Sequence, residues 1–142
     1  MFDPTSVIVE STFFLHTYAT LHAVHGVLDG LVMRYNTFTT PQSVVLDGTF
    51  AHPKGVDVSN SMGVSKTTRA SASLHQHGST RWSFNFSEQL IFPNVEQVIY
   101  SVVSDDLSFF QHMARTPIGA AVIVETSAAV DATVTVEVAQ AL

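Results

Sequence analysis

The chain has 142 residues, a formal net charge of −6, only six lysines and arginines, and no cysteine. The absence of cysteine excludes disulfides, thiolate metal sites and cysteine nucleophiles, and the acidic balance argues against a protein whose whole surface binds a polyanion. Hydrophobic residues make up 46% and charged residues 13%, which predicts an obligate oligomer that buries apolar surface between chains. With no signal peptide and no apolar run of roughly 20 residues, a soluble protein without a membrane partner is expected.

The first 29 residues differ in texture from the rest of the chain. Asp3-Pro4 is a good helix start, and apolar residues recur at helical spacing from Val7 to Leu28. The β-branched residues over 6–12 also fit a strand. We predict a helix in the later part of this segment.

From Leu31 onward, short apolar segments separated by turn residues indicate an antiparallel sheet. The predicted strands are Leu31–Asn36, Ser43–Leu46, Val56–Asn60, Lys66–His75, Arg81–Leu90 and Val95–Val103, with Gln76–Thr80 as a turn between the fourth and fifth. No internal repeat is evident.

A helix is predicted after this sheet. Ser104 is a suitable N-cap, with Asp105 and Asp106 in the first turn facing the positive end of the helix dipole. Leu107, Phe110, Met113 and Ala114 follow at helical spacing. The alternating Thr/Val segment over 132–138 then predicts one more strand or a swapped arm.

The segment from Arg69 to Ser87 is predicted to be an amphipathic β-hairpin, because its side chains alternate over both halves. The polar face holds Arg69, Ser71, Ser73, His75, Arg81, Ser83, Asn85 and Ser87, and the apolar face holds Ala70, Ala72, Leu74, Trp82, Phe84 and Phe86. Any half-exposed antiparallel sheet alternates in this way. The polar face nevertheless carries groups that can hydrogen-bond phosphates, sugars and bases.

The same segment resembles a known family. The resemblance is carried by Arg69-Ala-Ser-Ala-Ser-Leu-His-Gln76 followed by Arg81-Trp-Ser-Phe-Asn-Phe-Ser87, with Ser43-Val-Val-Leu-Asp47, His52-Pro-Lys-Gly-Val56 and Ser59-Asn-Ser61 upstream and Ser104-Asp-Asp-Leu107 downstream. Together these segments are similar to the coat proteins of leviviruses. These proteins are the shell subunits of single-stranded RNA bacteriophages. The resemblance covers roughly residues 31–124, and it leaves 1–29 and the C-terminal strand without a counterpart.

The resemblance implies an α+β fold, with an antiparallel β-sheet and N-terminal hairpin covered on one face by C-terminal helices in an intertwined dimer. The chain would be one coat-protein domain over 1–142, with an N-terminal extension (1–29), the sheet (30–103), a helical region (104–124) and a C-terminal arm or strand (125–142). Its implied function is that of a structural capsid protein. Homodimers would assemble into an icosahedral shell in the bacterial cytoplasm and package single-stranded genomic RNA inside the virion.

The inner face of that sheet would be the surface for an RNA hairpin. Carried over by position, the RNA-binding residues are Arg69, Ser71, Ser73, His75, Arg81, Ser83 and Asn85, with Tyr100 stacking on a base. The low charge of the chain is a departure from the family.

Two alternatives stay open. An accessory or decoration protein on another virus's capsid, without RNA binding, would explain the acidic charge. A small metal-dependent β-barrel enzyme would use His75 and His77, because H-x-H on a strand can chelate Zn²⁺ or Fe²⁺. The cupin interpretation fails, since Arg81 and Trp82 stand where that family's Glu is expected.

Other candidate chemistry has a simpler structural explanation. His22 and His25 are spaced to share a helix face and could ligate a metal, but buried, hydrogen-bonded histidines are commoner. Capping fully explains Asp105-Asp106. No motif for a catalytic serine, a zinc protease or a phosphate loop occurs, so the sequence predicts no enzymatic activity, no cofactor and no metal.

Overall fold

The computed structural model describes residues 5–17, 19–22, 28–40, 44–48, 50, 53–64 and 66–140. Within these ranges the secondary structure consists of strands, and no helix is present. None of the described residues therefore forms a helix of the length and apolarity that crossing a bilayer requires. The predicted α+β class is wrong. The chain divides into two compact units, one up to Thr68 and the other over Arg69–Gln140, and each is described by itself.

The first unit is a stack of parallel coils. Its strands are β1 (Ile8–Glu10), β2 (Phe13–Phe14), β3 (Ala19–His22), β4 (Val32–Arg34), β5 (Thr37–Phe38), β6 (Val44–Asp47) and β7 (Asp57–Ser59). Ile8 pairs with Val32, which in turn pairs with Asp57, so the coils repeat every 24 to 25 residues. The pairs β2–β5 and β3–β6 are parallel as well. The described residues thus form a short β-solenoid, and the predicted N-terminal helix is wrong where the structure describes it.

The coils turn at equivalent positions in left-handed backbone geometry. One column consists of Ser6, Gly30 and Gly55, with φ between 55° and 72°, and the other of Ser11, Tyr35 and Asn60, with φ between 49° and 55°. Glycine suits the first column, because a Cβ on Gly55 would lie 3.2 Å from the backbone nitrogen of Gly30 in the neighbouring coil. The coils therefore repeat in backbone conformation, although the residue types at equivalent positions differ.

The described interior of the first unit is mostly apolar. Leu31, Met33, Val56 and Val58 are almost fully buried, and the rings of Phe14 and Phe38 stack with centroids 4.4 Å apart. Asn36 is also buried and joins three coils by hydrogen bonds. Its side chain provides hydrogen-bond partners for the Thr12 amide and the Val9 carbonyl at the turn.

The second unit is an antiparallel sheet built around one long central strand. Its strands are β8 (Arg69–Asn85), β9 (Gln97–Ser104), β10 (His112–Ala114) and β11 (Ala121–Ala139). β8 pairs along most of β11 on one side. On the other side, β9 pairs with 132–139 and β10 with 124–126.

The predicted hairpin is wrong, because β8 is one continuous strand. Both of its halves pair with β11 instead of with each other, from Asn85 opposite Ala121 to Arg69 opposite Ala139. The segment interpreted as a turn is a bulged stretch, where Gly78 has φ 54° and the register shifts around Val130.

The alternation of faces along β8 is present despite the missing turn. The apolar side packs into a core that holds Trp82, Phe84, Phe86, Val122, Val124, Val130, Val134, Val136 and Val138. Trp82 and Phe86 are fully buried. The sheet and the hydrophobic core that it covers thus both belong to the second unit.

The predicted helix after Ser104 is wrong as well. Side-chain oxygens of Ser104 and Asp106 form local turns with nearby backbone amides, which is the chemistry of a cap without a helix behind it. Leu107 and Phe109 are fully exposed, whereas Phe110 packs against the core. The chain then continues as β10.

Candidate functional site

The seven residues predicted on β8 all lie exposed along one strand. Arg69, Ser71, Ser73, His75, Arg81, Ser83 and Asn85, here called the polar row, alternate with residues that face the core. Seventeen residues of extended strand span about 55 Å. The hydroxyl groups of Ser73 and Thr135 lie 3.0 Å apart across the β8–β11 pair. A depression of about 410 Å³ lies at one end of the polar row and is lined by Arg69, Ser71 and Glu137, among others.

Tyr100 does not belong to this surface. Its neighbours Ile99 and Ser101 are exposed, while Tyr100 packs against the core on the other face of β9. Its hydroxyl lies 3.2 Å from Nδ1 of His112. The structure therefore separates Tyr100 from the residues with which it was predicted to act.

A histidine–aspartate cluster, consisting of His75, His77, Asp105 and Asp131, lies at the bulged middle of β8. Nε2 of His75 is 2.9 Å from Oδ2 of Asp105, which directly follows β9. Nδ1 of His77 is 3.2 Å from Oδ2 of Asp131 on β11. The backbone amide of Asp105 donates to the carbonyl of Asp131 at 2.9 Å, so pairing of β9 with β11 places both carboxylates beside β8.

The cluster offers convergent ligand atoms. One ring nitrogen each of His75 and His77 and one carboxylate oxygen of Asp105 lie within 4.8 Å of one another. The two imidazole rings are 4.6 Å apart at an angle of 81°. Hydrogen bonds from the Gly78 amide and from His77 hold the pKa of Asp131 below its ordinary value.

The sequence identified half of this cluster. The H-x-H motif is recognisable because its two histidines are only two positions apart. Asp105 was interpreted as a helix-capping residue, and Asp131 was not singled out. Of the two histidines expected to share a helix face, His22 lies on β3 and pairs with Asp47 at 2.8 Å, while His25 lies outside the described residues.

The cationic residues differ in what they contact. Arg34 is paired with Asp57 and Arg115 with Glu125. The guanidinium of Arg81 is exposed on the polar row, and among the described residues it makes no side-chain hydrogen bond or ion pair. Arg81 is thus available to an anionic ligand.

One curated protein is similar to almost the whole of this chain. Over 151 aligned residues the sequence is 32% identical to polygalacturonase QRT3 of Arabidopsis thaliana, and the alignment takes in 97% of the chain. The chain spans only 31% of the length of that protein. No family model matches the sequence, and no solved structure matches it.

These findings overturn the levivirus interpretation. The detected similarity is to a plant enzyme and not to a viral coat protein, and both the hairpin and the covering helices are missing from the described residues. The predicted capsid function and virion location are therefore wrong, and the decoration-protein alternative is unsupported. Polar–apolar alternation produced the false resemblance, because it reports a half-exposed strand and nothing more specific.

The relative is named as an enzyme, which conflicts with the expectation that this chain has no enzymatic role. Self-association, inferred from the low charged fraction, stays a prediction.

Proposed function

We propose that this chain takes part in polysaccharide processing and that it binds an acidic, polygalacturonate-type polymer along the polar row. The observation that carries the proposal is the alignment of 97% of the chain with a protein named polygalacturonase.

The polar row has the chemistry that such a polymer requires. Hydroxyl and amide groups of Ser71, Ser73, Ser83 and Asn85 can hydrogen-bond sugar hydroxyls. Arg81 presents a guanidinium that no described side chain pairs with, and the planar fork of this group binds a carboxylate through two parallel hydrogen bonds. Because the chain is acidic overall, binding is expected to be local and to weaken as salt rises.

Binding is a better supported role for these residues than cleavage. Hydrolysis of a glycosidic bond ordinarily uses two carboxyl groups that flank the bond. The two carboxylates of the cluster, Asp105 and Asp131, are each engaged by a histidine, and Glu125, opposite Arg81 on β11, is paired with Arg115. The proposed role of the polar row is therefore to hold the polymer.

The test compares polygalacturonate with an uncharged galactose polymer, using the full chain in affinity electrophoresis. Wild-type protein is expected to be retarded by polygalacturonate alone. Arg81→Ala should weaken that retardation about three- to tenfold, because one charge-assisted contact is lost. Lys54→Ala is the matched control, since it removes the same charge from an exposed position in the first unit.

The outcomes separate the parts of the proposal. Equal binding to both polymers, or no binding at low salt, contradicts recognition of an acidic polysaccharide. Equal weakening by Arg81→Ala and Lys54→Ala would show that the polar row is not the binding surface. A parallel assay for new reducing ends measures cleavage, and cleavage by wild-type chain would overturn the assignment of a binding role alone.

A further inference from the structure

We infer that His75, His77 and Asp105 form a binding site for a divalent transition-metal ion, with Zn²⁺ as the best fit, and that Asp131 positions His77 within it. The inference stands apart from polysaccharide binding, since it rests on the donor atoms of the cluster alone. Among the described residues, no other group of side chains brings three such donors together.

The donor set selects the class of metal. Two imidazole nitrogens and one carboxylate oxygen suit Zn²⁺ and its neighbours in the first transition row, whereas Ca²⁺ and Mg²⁺ prefer oxygen ligands throughout. Three protein donors would leave a fourth tetrahedral position open to water or to a carboxylate. All three side chains are exposed, so an ion can reach them directly.

The backbone already holds the three side chains close together. His75 and His77 are two positions apart on β8, and Asp105 is placed beside them by its amide hydrogen bond to the carbonyl of Asp131. Tetrahedral Zn²⁺ with bonds of about 2.0–2.2 Å holds its donors about 3.3–3.6 Å apart. The donors here lie within 4.8 Å of one another, so small side-chain rotations are enough to close the site.

Asp131 provides the outer support that metal-binding histidines usually have. Its Oδ1 accepts the Gly78 amide at 2.6 Å, and its Oδ2 lies 3.2 Å from Nδ1 of His77. A proton on Nδ1 that is donated to Asp131 leaves the lone pair of Nε2 for a metal. A carboxylate held by a backbone amide thus fixes the tautomer and orientation of the ring.

A histidine–aspartate pair in the first unit provides the comparison. His22 and Asp47 in the first unit are 2.8 Å apart and exposed, and within the described ranges no third such donor joins them. Exposed pairs of this kind contribute little by themselves. The third convergent donor distinguishes the cluster around His75.

The experiment titrates chelator-treated full chain, prepared without a histidine tag, with Zn²⁺ by calorimetry and with Co²⁺ by visible absorption. One ion should bind per chain, with the intense cobalt bands of a four-coordinate site. His75→Ala, His77→Ala and Asp105→Asn should each weaken Zn²⁺ binding at least tenfold. Asp131→Asn should weaken it about 10- to 100-fold, as loss of outer support typically does.

His22→Ala is the control and should leave affinity and cobalt spectrum unchanged, and far-ultraviolet circular dichroism checks that every variant is folded. Absence of Zn²⁺ binding by folded wild-type chain overturns the inference. Undiminished binding by the double variant His75→Ala/His77→Ala would do the same. If Asp131→Asn binds as wild type does, the positioning role of Asp131 is wrong while the site itself stands.

Discussion

Replacing Trp82 by alanine is expected to lower the free energy of unfolding of the second unit by about 3–5 kcal/mol. Trp82 is fully buried in the core, opposite Val124 on β11, so truncation removes the largest side chain of that core and leaves a cavity. Urea unfolding followed by circular dichroism measures the loss. Fluorescence is unsuitable, because Trp82 is the single tryptophan of the chain.

Trp82→Phe separates the contribution of volume from that of the polar atom. The Nε1 of Trp82 is buried, and among the described residues it has no hydrogen-bond partner. An unsatisfied buried donor costs about 1–3 kcal/mol, so phenylalanine should retain most of the stability although it is smaller. Leu107→Ala, at a fully exposed position, is the control and should stay within about 0.5 kcal/mol of wild type. A cost for Trp82→Ala no larger than that would contradict the core assignment.

The sequence predicted which way side chains face better than it predicted which strands pair. Alternation is local, so the exposure of Ser71 and Ser83 and the burial of Trp82 and Phe86 could be inferred without knowing the fold. Pairing is not local. The Gly78 segment has turn residues, yet the long β11 strand, more than 40 residues later, pairs with both sides of it.

The false helix after Ser104 has a similar explanation. Serine and aspartate there hydrogen-bond nearby backbone amides, which stabilises either a helix start or an isolated turn. What decides between them is whether the following apolar residues find a surface to cover. Leu107 finds none within the described part of the chain, whereas 112–114 pairs with β11.

The coils of the first unit were hidden for another reason. Equivalent positions share a backbone conformation and not a residue type: Ser11, Tyr35 and Asn60 all have positive φ. Only the third of these belongs to a type that commonly adopts it. A search for repeated residues does not detect such a period, whereas the repeated positive φ values show it.

The candidate site was predictable only for the two donors that lie close together in the sequence. His75 and His77 form a visible motif, while Asp105 and Asp131 reach it through the pairing of β9 with β11. The position of both carboxylates beside these histidines therefore depends on strand register, which the sequence alone does not provide.

The second large effect is expected at Asn36, whose amide links neighbouring coils of the first unit. Its Nδ2 donates to the carbonyl of Val9 at 2.9 Å, and its Oδ1 accepts the amide of Thr12 at 3.0 Å. Asn36→Ala leaves both backbone groups without these partners at a buried position. Because each orphaned buried group costs about 1–3 kcal/mol, a loss of about 2–4 kcal/mol in unfolding free energy is expected by urea denaturation.

Asn36→Asp tests whether the donor half of that amide matters. The introduced carboxylate retains an acceptor for the Thr12 amide but turns a second oxygen towards the Val9 carbonyl, and burial raises the pKa of such a group. A raised folded-state pKa means that protonation stabilises the folded form. The deficit of Asn36→Asp relative to wild type, measured at each pH, should therefore shrink between pH 7 and pH 4. The deficit of Asn36→Ala should stay constant, and Lys54→Ala should show none. If the Asp variant kept its full deficit at pH 4, donation to Val9 would not be what joins the coils.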